Sequence, residues 1–281
     1  MIFRSLMHNQ TPSYYGAMTI DFRLDGKHAV VAGSTQGIGR AVAEAFASAG
    51  ATVCLVGRNQ DGLDTVREGL DTSGGRTHTS LCVDFSNHAH VQSAIDRYVA
   101  DSGPVHILVN NTGGPPAGFA VDAEPSDFIR YMEQHLACFQ SMVRACAPGM
   151  REAEYGRILN IISTSVITPI KGLGISNVVR GAVANWGRTL AVELGSFGIT
   201  VNNVLPGFTD TARLRSLFDG KANRSGTTPE AIRATAISSI PAARIGTADE
   251  IAGAVQFLAS PAGSYCNGLN LPVDGGRVCQ A

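Results

Sequence analysis

Seven short β-branched runs recur along the chain, separated by stretches whose apolar residues fall three and four apart. This alternation restricts the fold more than any other feature. The runs are His28–Ala32, Ala51–Val56, Thr77–Val83, Val105–Asn110, Arg157–Ile162, Ile199–Val204 and Leu269–Val273. Ile38, Val42, Ala45, Phe46 and Ala49 mark one intervening helix, and Val179, Val183, Trp186, Leu190 and Leu194 mark another. Strands that alternate with helices through right-handed crossovers lie parallel in one sheet, with helices on both faces. The expected class is α/β, a single doubly wound domain around a seven-stranded parallel sheet. A chain of 281 residues is ample for one such core.

Composition narrows the function classes. Hydrophobic residues make up 44% and charged residues 16%, and the net charge is -1. That balance argues against disorder and gives no reason to expect nucleic acid or an anionic membrane as partner. No run of 18 apolar residues is present, and Arg4, His8, Asn9 and Gln10 interrupt the core a signal peptide needs. Residues 1–20 are therefore read as a flexible extension, with Met1 and Met18 as alternative starts, and residues 21–281 as the domain. Six cysteines stand apart without metal-ligand spacing, and Cys54 and Cys82 fall inside strand-like runs as buried free thiols. A reducing, cytoplasmic setting follows. His88 and His90, two apart at a helix start, point to different faces, so no metal site is expected.

The connection from the first strand to the first helix reads Ala32-Gly33-Ser34-Thr35-Gln36-Gly37-Ile38-Gly39-Arg40. Glycines at this place let backbone N–H groups and a helix N-terminus close on a pyrophosphate. The second strand ends at Gly57-Arg58, where an acidic residue would bond the 2′-hydroxyl of NAD. A neutral residue followed by an arginine favours the 2′-phosphate of NADP(H) instead. Thr211 to Ile240 breaks the strand–helix rhythm and carries Arg213, Arg215, Lys221, Arg224 and Arg233. Its length and place after the sixth strand suggest a lid-like insertion near 211–240.

The G-x-x-x-G-x-G spacing of that connection resembles the short-chain dehydrogenase/reductase family, and further landmarks follow it. Asp84 resembles the aspartate that contacts the adenine ring, and Asn110-Asn111-Thr112-Gly113 the family's N-N-A-G. Pro206, Gly207, Thr209 and Thr211 sit in a segment similar to the P-G-x-x-x-T loop that holds the carboxamide of nicotinamide. Arg244–Ile251 and Val273-Asp274-Gly275-Gly276 resemble the segments that open the last helix and close the last strand. The resemblance runs from about Leu24 to Arg277 and implies a Rossmann domain, an NADP(H) cofactor and a small-molecule substrate. It also implies a homotetramer or homodimer paired through two helices. Phe139, Met142, Val143, Val183, Trp186 and Leu190 would supply the apolar surface for that pairing.

At the chemical end the resemblance breaks. The family's reductases use a Ser, a Tyr that gives the proton, a Lys that lowers the pKa of the Tyr and holds the ribose, and an Asn that anchors a relay water. Ser163 falls at the serine position, but Ser176 falls at the tyrosine, Arg180 at the lysine and His135 at the asparagine. A serine hydroxyl is shorter and far less acidic than a phenol, and an arginine does not relay protons. Loss of a general acid lowers a rate by roughly 10²–10⁴-fold.

Three readings stay open at this stage. One is an NADP(H)-dependent oxidoreductase, reducing a 3-oxoacyl-like or other ketone with an atypical proton donor. His135, titratable near neutral pH, is its first candidate donor, with Lys171 and Ser163 behind it. The second is a non-redox enzyme on the same scaffold, and the third an NADP(H)-binding protein. Tyr131 and Tyr155 do not occupy the missing tyrosine's place, though either could point into the cleft. The expected site gathers Ser163, Ser176, Arg180 and His135 as chemical residues. Gly33, Ser34, Thr35, Gln36, Gly37, Ile38, Gly39, Arg58, Asp84, Asn111, Arg180, Pro206, Gly207, Thr209 and Thr211 are expected at the cofactor.

Overall fold

The structure, a computed structural model, describes residues 20–280, so the extension expected over residues 1–20 lies outside it but for its last residue. All seven expected strands form: β1 (His28–Ala32), β2 (Thr52–Gly57), β3 (Thr79–Cys82), β4 (Ile107–Asn110), β5 (Gly156–Ile161), β6 (Ile199–Pro206) and β7 (Asn270–Val273). Every pairing is parallel, in the order β3-β2-β1-β4-β5-β6-β7.

Alternation along each strand sends successive side chains to opposite faces. Val30 and Ala32 of β1 join one core with Val56, Leu108 and Ile158, whereas Ala29 and Val31 join the other with Leu55, Ile107 and Leu159. The first core is closed by α3 (His88–Ser102), α5 (Cys138–Glu152) and α6 (Gly174–Leu194), through Ile95, Met142 and Val183. The second is closed by α1 (Gly37–Ser48), α2 (Gln60–Glu68) and α9 (Ala248–Ala259), through Phe46, Leu63 and Val255. Each such side chain, fully buried, stabilises the fold by about 1.5–3 kcal/mol.

Two expectations fail on burial. Phe139, Met142, Val143, Val183 and Leu190 lie inside the first core, and Trp186 is half-buried with Nε1 donating to Gln140 at 2.9 Å. These helices turn their apolar stripes onto the sheet, so those residues are not the surface expected for a partner. Cys54 is buried as expected, but Cys82 is exposed because it ends the edge strand β3.

The segment after β6 forms α7 (Ala212–Ser225) and α8 (Pro229–Ser238). Leu214, Phe218, Ile232 and Ile245 pack there into a small core of their own, with Phe208 against it. Thr211 caps α7 by accepting from the Leu214 N–H at 3.2 Å, and Thr228 caps α8.

Strand order reverses beside β1, because β2 lies on one side of it and β4 on the other. A crevice opens outside the C-terminal ends of these two strands, where doubly wound sheets bind ligands. Among the described residues, no helix is long and apolar enough to cross a membrane.

Candidate active site

A cleft of about 830 Å³ occupies that crevice. One end is built by backbone. Gly33 and Gly37 take positive φ (+62° and +57°), which brings the β1–α1 turn under the N-terminus of α1. The turn is tight because it must fit against the next loop. A Cβ on Gly39 would stand 2.1 Å from the Gly33 carbonyl oxygen, and one on Gly33 2.7 Å from Asn111 Nδ2. Asn111 pins the two together by donating to the Ala32 and Gly33 carbonyls at 3.2 and 3.3 Å. Gly37 and Ile38, whose N–H groups have no partner within the helix, line the cleft.

Thr35, Gln36, Gly37 and Ile38 line this end, as do Gly57, Arg58 and Asp84. A Cβ on Gly57 would meet Thr35 Cγ2 at 3.2 Å, so a larger residue is crowded there, and Arg58 next to it is exposed. Ser34 does not reach the cleft wall: its hydroxyl donates to the Val56 carbonyl at 3.3 Å inside the core. Gly39 likewise serves close packing rather than the lining. An extended dinucleotide fits this cradle, whose shape depends on the missing Cβ atoms.

The other end gathers polar side chains from β5, α4, α6 and α7. Helix α4 (Pro125–Met132) brings Tyr131, and the loop after β5 brings Ser163, whose Oγ accepts from the Ser165 N–H at 3.0 Å. Ser176 and Arg180 sit one turn apart on α6. Arg180 donates through Nε to Ser176 Oγ at 3.1 Å and through Nη1 to the Ile162 carbonyl at 2.7 Å. Burial and the neighbouring Arg213 push its guanidinium pKa down to about 10. Arg213, at the start of α7, donates to the Pro115 carbonyl and so ties the Asn111–Gly118 loop to the helix above. Pro206, Gly207, Thr209 and Thr211 close the wall beneath.

His135 is placed elsewhere than its expected role requires. It lies in a π-helical turn, Glu133–Ala137, and is 1% exposed. Its Nδ1–H donates to the Tyr131 carbonyl at 3.0 Å, its ring packs edge-on to Phe139, and Nε2 has no hydrogen-bond partner among the described residues. Burial, then the charges of Arg180 and Arg213, lower its pKa to about 3. A ring held neutral at pH 7 and set behind the wall is no proton donor near neutrality. Lys171 is exposed and outside the lining.

Tyr131 is the residue that spacing alone did not select. It is the one phenol lining the cleft among the described residues, and Arg213 lines the same cleft. Tyr155 points away, donating to the Ala259 carbonyl at 3.2 Å.

The comparisons agree with this geometry. The sequence family described as Enoyl-(Acyl carrier protein) reductase matches residues 32–277. The 3-oxoacyl-(acyl-carrier-protein) reductase of Escherichia coli (strain K12) is 32% identical over 254 residues, 90% of this chain and 97% of that protein. Among solved structures, the L-sorbose reductase of Gluconobacter frateurii, complexed with NADPH and L-sorbose, superposes with a TM-score of 0.85. It is 28% identical and covers 92% of this chain and 98% of its own. A gluconate 5-dehydrogenase from Burkholderia cenocepacia J2315, in complex with NADP and tartrate, gives 0.83 at 31% identity over 92% and 98%. Strand order, glycine cradle and kinship over nine-tenths of the sequence agree, and the chain belongs to the short-chain dehydrogenase/reductase family.

Proposed function

We propose that the protein is an NADP(H)-dependent reductase of a ketone in which Tyr131 gives the proton. The observation that carries this reading is one continuous cleft with Arg58 at one end and Tyr131, Ser163 and Arg180 at the other. The E. coli relative is a 3-oxoacyl reductase and the G. frateurii neighbour an L-sorbose reductase, which supports a ketone as the group reduced.

In this reading Arg58 holds the 2′-phosphate, the N-terminus of α1 with Thr35–Ile38 holds the pyrophosphate, and Asp84 faces the adenine. Pro206, Gly207, Thr209 and Thr211 hold the carboxamide, and Arg180 the ribose hydroxyls. The bound cofactor supplies the hydride. Ser163 polarises the carbonyl oxygen by hydrogen bonding, and the Tyr131 hydroxyl delivers the proton that the new alkoxide needs. Arg180 and Arg213 add positive field where the negative charge develops. Helices α7 and α8, spanning 211–240, act as a lid over the reacting end. Self-association as a homodimer or homotetramer uses exposed apolar residues such as Ile129 on α4 and Val178 on α6.

Calorimetric titration with both cofactors, followed by ketone turnover read from NADPH absorbance, tests the reading. NADPH binds at least tenfold more tightly than NADH, and Arg58→Ala narrows the gap; equal affinities would remove the NADP assignment. Tyr131→Phe lowers kcat by about 10²–10⁴-fold with NADPH affinity retained, and unchanged turnover would remove the phenol from the mechanism. A chain that binds NADPH and reduces no ketone is a binding protein. A monomer by light scattering at micromolar concentration would overturn the self-association.

A further inference from the structure

Among the described residues the charge at the reacting end has no counterion in the cleft lining. Four arginines line the cleft, Arg58, Arg180, Arg213 and Arg277, against a single carboxylate, Asp84, which belongs to the other end. Among the described residues none of the four forms an ion pair. Two of them converge. A Cβ on Gly114 would stand 3.1 Å from Arg180 Nη2 and 3.2 Å from Arg213 Nη2, so both guanidiniums crowd one small patch of the loop. Arg180 is fixed there by the Ile162 carbonyl and Ser176, and Arg213 by the Pro115 carbonyl. His135 behind them adds no negative charge.

Two guanidiniums brought together without a carboxylate repel each other, and their planar donors match a bidentate oxyanion. We infer that Arg180 and Arg213 form a receptor for a carboxylate on the substrate, so the substrate class is a small oxo-acid. This rests on the reductase reading of the cleft. Arg213 is spare with respect to the cofactor, whose phosphates have Arg58 and the α1 N-terminus, and Arg180, which also serves the ribose in the reductase reading, brings its Nη2 to Gly114 beside Arg213 Nη2. The pair also sits on the reacting side, since the carbonyl that holds Arg180 directly precedes Ser163.

The test measures binding, not turnover. Protein loaded with NADP+, and cofactor-free protein beside it, is titrated with levulinate and 4-oxocyclohexanecarboxylate and with their methyl esters. Each acid binds at least tenfold more tightly than its ester. Arg213→Gln abolishes that preference, Arg213→Lys keeps part of it, and NADPH affinity changes less than twofold. Arg215→Gln, whose partner is Asp210 outside the cleft, leaves both unchanged, and thermal melts confirm that all variants fold. Esters binding as well as acids to both forms would overturn the receptor. A tenfold loss of NADPH affinity in Arg213→Gln, with the acid preference intact, would assign the pair to the cofactor's pyrophosphate and overturn it equally. A wild type that binds no NADP(H) overturns the reductase reading alone, because the cofactor-free titration still reports on the acids.

Discussion

Arg180 and Ser176 are bonded to each other, Nε to Oγ at 3.1 Å, across one turn of α6. The sequence resemblance implies that these are the positions of the family's lysine and tyrosine. A phenol introduced at residue 176 alone would enter a site whose arginine is held by the Ile162 carbonyl and relays no proton. On an activated ketone, the triple change Ser176→Tyr, Arg180→Lys, His135→Asn is therefore expected to exceed Ser176→Tyr alone. NADPH oxidation at ~340 nm compares them, since the reduced nicotinamide carries the hydride chemistry. A single variant as fast as the triple would show that the arginine is a competent partner for a phenol. A wild type faster than both would show that the site has its own acid, and Tyr131→Phe then becomes the decisive variant.

The glycine cradle makes a second prediction with an internal control. Gly39→Ala would place a Cβ 2.1 Å from the Gly33 carbonyl oxygen, where only backbone can move aside. The turn must open, so NADPH affinity is expected to fall at least tenfold, with a lower melting temperature. Gly253→Ala on α9 meets nothing within 4 Å. It should stabilise the fold by about 0.5–1 kcal/mol through helix propensity, with cofactor affinity unchanged. Equal behaviour of the two alanines would show that close approach at Gly39 is not what shapes the cradle.

His135 makes the pH prediction. Its folded pKa, about 3, lies below the usual value of 6.5, chiefly through burial. The unfolded chain therefore binds a proton that the native state refuses, and stability is lost as pH falls from 6.5 toward 3. His135→Asn should lose less stability over that window, by on the order of 2–4 kcal/mol for a shift of this size. Chemical denaturation of both proteins at pH 7, 5.5 and 4.5 gives the difference curve. A flat difference would mean that the ring protonates as easily in the native state as in water. In the reductase reading, the pH–rate profile of the wild type also shows no ionisation from His135 between pH 5 and 9.

The strands were legible because β-branched runs state both their length and their burial, and the cofactor cradle because its glycines fall between a strand and a helix. Rotation and partnership were not legible. The π-helical turn at Glu133–Ala137 accommodates an extra residue, so helical spacing across it does not give the facing. It sets Tyr131 in the lining and His135 behind it. Phe139, Met142 and Val183 read as apolar stripes, and a stripe does not say whether the sheet or a second chain covers it. Arg213 read as one of five basic residues in a lid-like insertion. Only the fold brings it to Gly114 beside Arg180, because their contact spans a loop, a helix and the end of β6.

The last prediction concerns what holds β4, β5, β6 and β7 in lateral register beneath the cleft. Asn110, Asn160, Asn203 and Asn270 occupy matching register positions on β4, β5, β6 and β7. Asn110 donates to Asn160, Asn160 to Asn203 and Asn203 to Asn270, each amide nitrogen to the next oxygen at 2.9 Å. The first three are fully buried, and α6 crosses them at Gly187, where a Cβ would stand 2.7 Å from both Asn160 and Asn203. Such a chain orders the strands laterally, and its first two links satisfy amide groups shut away from water, although Asn110 Oδ1 has no partner among the described residues. Asn160→Ala strands a donor on Asn110 and an acceptor on Asn203, and a buried unsatisfied group costs roughly 1–3 kcal/mol. A loss of about 2–5 kcal/mol is expected. Asn270→Ala, at the half-buried end where water can replace the missing partner, should lose about 1 kcal/mol. Urea denaturation measures both, with the midpoint moving and the slope unchanged if the native state keeps its surface. Because Asn110 directly precedes Asn111, which pins the β1–α1 turn, Asn160→Ala is also expected to weaken NADPH binding, and Asn270→Ala is not. Equal losses of stability from the two alanines would show that the asparagines act separately and not as a connected ladder.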